Sequence, residues 1–197
     1  MSKNMDNTQH LLQRVADSVA AANAHYEIWF TLRGQGKALP DYHKDMNDHR
    51  YVDFFHAINS GTYKLIFIEL GCLFDTDDRS ASIRNLKSKL EELGRMDLVA
   101  IIEHQLEGFG PLVSNILTIR SKLMAHKELG ALSTEVHKEN GVAPNDIGTL
   151  IQRCCAALNE INEQLYGNSG ALLCSTGTLR FEKAVFELLN VLRDGRS

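Results

Sequence analysis

The sequence predicts an all-α protein: a helical bundle of about six to seven helices with an antiparallel up-and-down core. Three observations carry this. Apolar residues recur at spacings of three and four through several long segments. Only three prolines occur in 197 residues, and glycine-rich or polar runs fall between the periodic segments. The chain is 44% hydrophobic and 23% charged, the balance of a soluble globular domain, so 1–197 reads as one domain with a sizeable core.

The first predicted helix runs from Thr8 to Arg33, with Leu11, Leu12, Val15, Val19, Ala22, Tyr26 and Trp29 on one face. Residues 1–7 and 194–197 are expected to be flexible ends. Gly34 and Gly36 stop this helix, and the polar run Lys37 to Asp48, which contains Pro40, reads as a connection. A second helix, Asp48 to Phe74, is apolar almost all round at Leu65 to Leu70, the mark of a central helix.

Asp75 to Ser80 reads as a turn into a helix capped at Ser80 or Ser82, with Ile83, Leu86 and Leu90 inward. A calcium loop starting at Asp75 would need glycine at 80 and glutamate at 86, where Ser80 and Leu86 stand. A short helix from Asp97 to Glu107 offers Leu98, Ile101 and Ile102 for burial. Gly110 and Pro111 open the next helix, with proline in the first turn and a stripe of Leu112, Ile116, Ile119 and Leu123.

Residues 129–144 have weak periodicity and read as an extended loop. Asn145 or Asp146 is expected to cap a helix whose seam is Leu150, Ile151, Cys154, Leu158, Ile161 and Leu165, closed by Gly167 to Gly170. The last helix starts near Thr178 and turns Phe181, Val185, Leu188 and Leu192 inward.

A net charge of −4 excludes a protein that coats nucleic acid through a general positive field, so any RNA contact must be a local patch. Four cysteines without a C-x-x-C pair read as core thiols of a reducing compartment. The amino terminus has no apolar signal region, and the longest apolar run, Leu65 to Phe74, contains Glu69 and is too short to span a bilayer. A cytoplasmic protein without membrane attachment is expected.

Candidate chemistry centres on the run Arg120 to His126. Arg120 is a permanent cation suited to phosphate, and an unperturbed His126 titrates near neutrality, so the two supply a charge clamp and a proton carrier. Six residues at about 100° each put them roughly 120° apart on an ideal helix. Either the helix loosens near Ala125, or a second copy packs across a two-fold axis and pools both pairs, which makes a homodimer part of the chemistry. The bland reading is a solvated arginine and a histidine favoured by the helix dipole. Glu69, set in the apolar run I-F-I-E-L-G-C-L-F, needs a cation or donors if buried; Arg120, Lys64, Arg84 or a backbone cap would serve. His43, His49 and His56 lack the spacing and the further ligand of a zinc site. No G-x-x-x-x-G-K-[ST] or G-x-G-x-x-G run occurs, so neither metal nor cofactor is expected.

Arg120-Ser121-Lys122-Leu123-Met124-Ala125-His126 resembles the R-x(4-6)-H motif of HEPN domains, in the form of the AbiU-type abortive-infection branch. Phe54-Phe55, Leu73-Phe74-Asp75 and Arg79-Ser80-Ala81-Ser82 are similar to that branch as well. The resemblance implies a helical, usually dimeric domain, many of whose relatives are metal-independent ribonucleases of phage-defence or toxin systems. It implies Arg120 and His126 as catalytic residues, with Ser121, Lys122 and Lys127 against the RNA backbone; Glu69, singled out by its apolar setting, is a candidate to stand behind them. An antitoxin or other defence-system partner would fit. Ser121 stands where asparagine is usual, the spacer has one extra residue, and Glu128 replaces the tyrosine of nucleotidyltransferase-paired toxins. The alternative is a catalytically inactive HEPN-type module that binds RNA or protein.

Overall fold

The computed structural model describes residues 2–32, 39–125, 141–167, 173–177 and 179–195, with side chains omitted at 2–6, 39 and 123–125. Within them lie eight helices and no strand: α1 (Ser2–Leu32), α2 (Leu39–Met46), α3 (Val52–Leu73), α4 (Ile83–Glu92), α5 (Met96–Gln105), α6 (Gly110–Ala125), α7 (Pro144–Tyr166) and α8 (Arg180–Asp194). The protein is thus all-helical, as its periodicity predicts. Among the described residues, no helix is long and apolar enough to cross a membrane.

The main core is built on α1 and α3, which pack on each other more extensively than any other pair. Leu12, Val15, Ala16, Val19 and Ala22 meet Ile66, Phe67, Leu70 and Leu73, all fully buried. Each large apolar side chain removed from water contributes about 1.5–3 kcal/mol, which far exceeds helix propensity as a source of stability. α4 and α7 close on α1, α5 lies on α7, and α6 lies on α3. The predicted inward face of α4 is buried at Ile83, Leu86 and Leu90. Its cap is Ser82, whose side chain accepts from the Asn85 N–H at 3.4 Å.

Other expectations shift. α1 begins at Ser2, six residues before Thr8. α2 occupies part of the stretch read as a connection. Its one apolar turn is too short to show a period; it is held from outside, by Tyr42 donating to Asn190 Oδ1 at 2.6 Å and by the Arg193 guanidinium 3.9 Å above the Tyr42 ring. α3 starts at Val52, because Asp48 to Tyr51 form a turn tied by the Tyr51 and Val52 N–H groups to the Asp48 carbonyl. α7 starts at Pro144 with Ala143 as its cap residue, not at Asn145 or Asp146, since proline's fixed φ suits the first helical position. Gly167, at φ 72°, closes α7 as expected.

α8 starts at Arg180; Thr178, the expected start, lies outside the described residues. Its buried residue is Leu189, whereas Leu188 is exposed. The helix is clamped between α1 and α2, so its apolar centre runs through Val185, Phe186, Leu189 and Leu192, which join Leu32, Tyr42, Met46 and Phe55 in a second, smaller core. The end of the first helix at Arg33 to Gly36 and most of the loop expected over 129–144 also fall outside the described residues.

Candidate functional site

Asp75 to Ser80 folds as two successive Asp-initiated turns: Asp75 Oδ1 accepts from the Asp77 N–H at 3.0 Å, and Asp77 Oδ1 from the Arg79 N–H at 2.9 Å. These bonds end α3. The Asp75 N–H turns to the Cys72 carbonyl at 3.2 Å, so it is not available to Gly71, whose carbonyl it would meet in a continuing helix. Arg120 fills the vacancy, donating from Nη1 to Gly71 O at 3.0 Å. The same guanidinium reaches Asp75 Oδ2 from Nη1 at 3.3 Å and Nη2 at 3.4 Å.

Arg120 therefore does two structural things. It satisfies an orphan carbonyl at the negative end of the α3 dipole and pairs with the first carboxylate beyond it. Its stem reaches there because residue 71 is glycine: an added Cβ would lie 2.1 Å from Arg120 Cδ. Arg120 and Asp75 side chains are 31% and 27% exposed, so solvent screens the pair and its worth is at most about 1 kcal/mol. What it provides is position.

Asp75 also borders a cleft of about 410 Å³ between α1 and the end of α3, where Arg14, Ser18, Glu69, Cys72 and Arg79 face one another. Glu69 is half-buried here, and among the described residues it does not hydrogen-bond to Arg120. Of the partners the sequence offers Glu69, Arg120 is taken by Asp75 instead. Glu69 opens on the cleft, which Arg14 and Arg79 also line, so it is not a sealed carboxylate. Its charge is felt by His25 on α1, whose protonation burial disfavours and Glu69 favours. The α6 stripe buries Ile116 and Ile119 fully, and Arg120 emerges beside it. Ser121 is exposed and Lys122 half-buried. His126 and Lys127 lie outside the described residues, as does the Leu123 side chain; α6 is helical through Ala125. Of the three clustered histidines, His43 and His56 line a separate cleft of about 350 Å³ between α2 and α3, while His49 sits on a turn.

The Asp75 carboxyl is held below its ordinary range, first by the Asp77 N–H and then by Arg120, against the opposing effect of burial. A depressed carboxyl stabilises the fold fully above its unfolded value, and this contribution is lost as pH falls through the folded value. Asp75→Asn keeps an acceptor for the Asp77 N–H and removes the charge. Its deficit relative to wild type, measured as urea midpoints between about pH 3 and 7, is expected to be largest near neutrality and to shrink below about pH 4. A deficit that stays constant across that range would contradict an ionic role for Asp75.

Sequence reasoning missed Asp75 and Gly71. Gly71 carried a signal: a glycine inside the apolar run I-F-I-E-L-G-C-L-F commonly marks close packing. No curated protein and no solved structure matches the chain. A model of the AbiU2 family, HEPN_AbiU2, matches residues 5–176, a span that contains the main core, the Asp75 turn, the cleft and the Arg120 helix. The chain belongs to the HEPN_AbiU2 family of HEPN-domain proteins.

Proposed function

We propose that this protein is a metal-independent endoribonuclease of an abortive-infection or toxin system. The observation that carries the reading is the fixed guanidinium of Arg120, anchored by Gly71 O and Asp75 at one side, on a side chain about a third open to solvent. In this reading His126 takes the proton from a ribose 2′-hydroxyl, and Arg120 stabilises the charge that builds on the attacked phosphate. The products end in a 2′,3′-cyclic phosphate, and DNA is refractory because it lacks the nucleophile. Ser121, Lys122 and Lys127 contact the backbone, and Glu69 shapes the field behind them. The site is shared in a homodimer, since about 120° separates Arg120 from His126 around one ideal helix. A cytoplasmic defence partner or antitoxin would hold it in check.

A second reading rests on the same clamp. Asp75 already neutralises part of the Arg120 charge and Ser121 replaces the usual asparagine, which favours an inactive RNA- or protein-binding module. Incubation of the protein with matched single-stranded RNA and DNA in EDTA separates the two. The nuclease reading expects RNA cut to cyclic-phosphate ends with DNA intact. RNA retained on the protein but never cut supports the module, and neither binding nor cutting sinks the first reading. Mixing Arg120→Ala with His126→Ala protein should restore part of the activity if the site is shared between chains; a strict monomer that cleaves would refute the shared site.

A further inference from the structure

Away from that cleft, one thiol is surrounded by donors. Asn159 on α7 clips the segment 173–177 to the helix: its Oδ1 accepts from the Leu173 N–H at 2.9 Å and the Cys174 N–H at 3.3 Å, and its Nδ2 donates to the Cys174 carbonyl at 2.8 Å. That clip sets Cys174 against Cys155, one turn earlier on α7. Cys174 Sγ lies 3.8 Å from the Cys155 carbonyl oxygen. The Cys155 sulfur receives the Asn159 amide at 3.5 Å, and the Cys174 and Thr176 side chains lie close enough to favour its anion. Both cysteines are 4% exposed. Such a nest does more than fill a core, because polar side chains gathered around one sulfur favour its anion.

We propose that Cys155 and Cys174 are a peroxide-responsive pair that closes an intramolecular disulfide, fastening the segment before α8 to α7. The Cys155 thiolate attacks one oxygen of a peroxide; its S–O bond forms as the O–O bond breaks, and with one proton the other oxygen leaves as water. The Cys174 sulfur then attacks the resulting sulfenic acid, forming the S–S bond, and the Cys174 hydrogen leaves with the hydroxyl as a second water. Two thiols are oxidised and one peroxide is reduced to two waters, so no further reactant is required.

The division of roles follows from surroundings. The neighbouring side chains, Cys174 first, hold the Cys155 thiol below its ordinary range, which favours the thiolate that attacks. Cys174 is pushed up by its bond to Cys155 and by burial, so it attacks second, giving up its proton to the hydroxyl that leaves Cys155 as the S–S bond forms. Neighbouring Cys154 is different: burial pushes it up to about 12, so it is a core thiol. The device is independent of whether the protein cuts RNA.

The test treats the folded protein with hydrogen peroxide, then alkylates and digests it. All three candidate thiols fall in the tryptic segment 154–180, and cleavage after Glu160 or Glu163 separates Cys155 from Cys174. The expected result is a loss of about 2 Da in that segment, with its two halves held together until reductant is added. Cys154→Ser and Cys72→Ser should still cross-link, while Cys155→Ser and Cys174→Ser should not, and the oxidised form should melt several degrees higher than the reduced one. Thiols that stay fully alkylatable in the folded wild type, or a cross-link through Cys154, Cys72 or a second chain, would overturn the proposal. The wild-type mapping decides the matter even if a serine variant does not fold.

Discussion

Gly71→Ala is expected to destabilise the protein by about 1–2 kcal/mol and to cut RNA cleavage at least tenfold, although alanine is the better helix former. The new methyl would lie 2.1 Å from Arg120 Cδ, 2.9 Å from Nε and 3.1 Å from Cγ. These are the middle of the side chain, and its far end is pinned to Gly71 O and Asp75. The stem cannot give way without releasing the guanidinium. Overpacking of this kind costs about 1–3 kcal/mol, against a gain of about 0.5–1 kcal/mol from replacing a helical glycine. At Gly61, on the same helix, an added methyl would meet nothing within 4 Å, so Gly61→Ala should stabilise by about 0.5–1 kcal/mol. Urea midpoints and cleavage rates of the two variants check the opposite signs. Equal behaviour would show that the Arg120 stem does not rest on Gly71.

How much of this is legible in the sequence differs by element. Helices with long amphipathic faces are readable, because burial acts on the period: Leu86 and Leu90 of α4, Leu150 and Leu158 of α7 are all buried where the spacing puts them. α2 is not, since its Tyr42, Asp45 and Met46 become a buried face through distant partners, above all α8, about 150 residues away along the chain. Leu188 and Leu189 both fit a three-or-four spacing, and the choice between them depends on which neighbours α8 meets. Arg120 stands out as a charged residue beside an apolar stripe. Its partner does not: Glu69 is conspicuous for its apolar neighbours, while Asp75 sits in a polar run where carboxylates are ordinary. The deciding contacts, an arginine capping the end of another helix and pairing with the carboxylate beyond it, join residues 49 and 45 apart and leave no mark on either local pattern.

The central claim is that Arg120 belongs to a chemical site and not merely to the end of α3. A purely structural Arg120 would cost stability when removed, through the lost cap and screened ion pair, by about 1–2 kcal/mol, and would leave the chemistry of the folded fraction alone. As a phosphate-stabilising group its removal should lower the rate by about 10²–10³. Arg120→Lys should recover little, because a point charge does not reproduce the planar fork that serves Gly71 O, Asp75 and a phosphate together. The most direct measurement compares RNA cleavage rates of wild type, Arg120→Ala and His126→Ala in EDTA, at a temperature where helical circular dichroism and melting curves show all three folded. The expected result is chelator-resistant cleavage by wild type to cyclic-phosphate ends and a loss of at least about a hundredfold in both variants. Cleavage by folded Arg120→Ala at the wild-type rate, or none by wild type on any RNA, would contradict it.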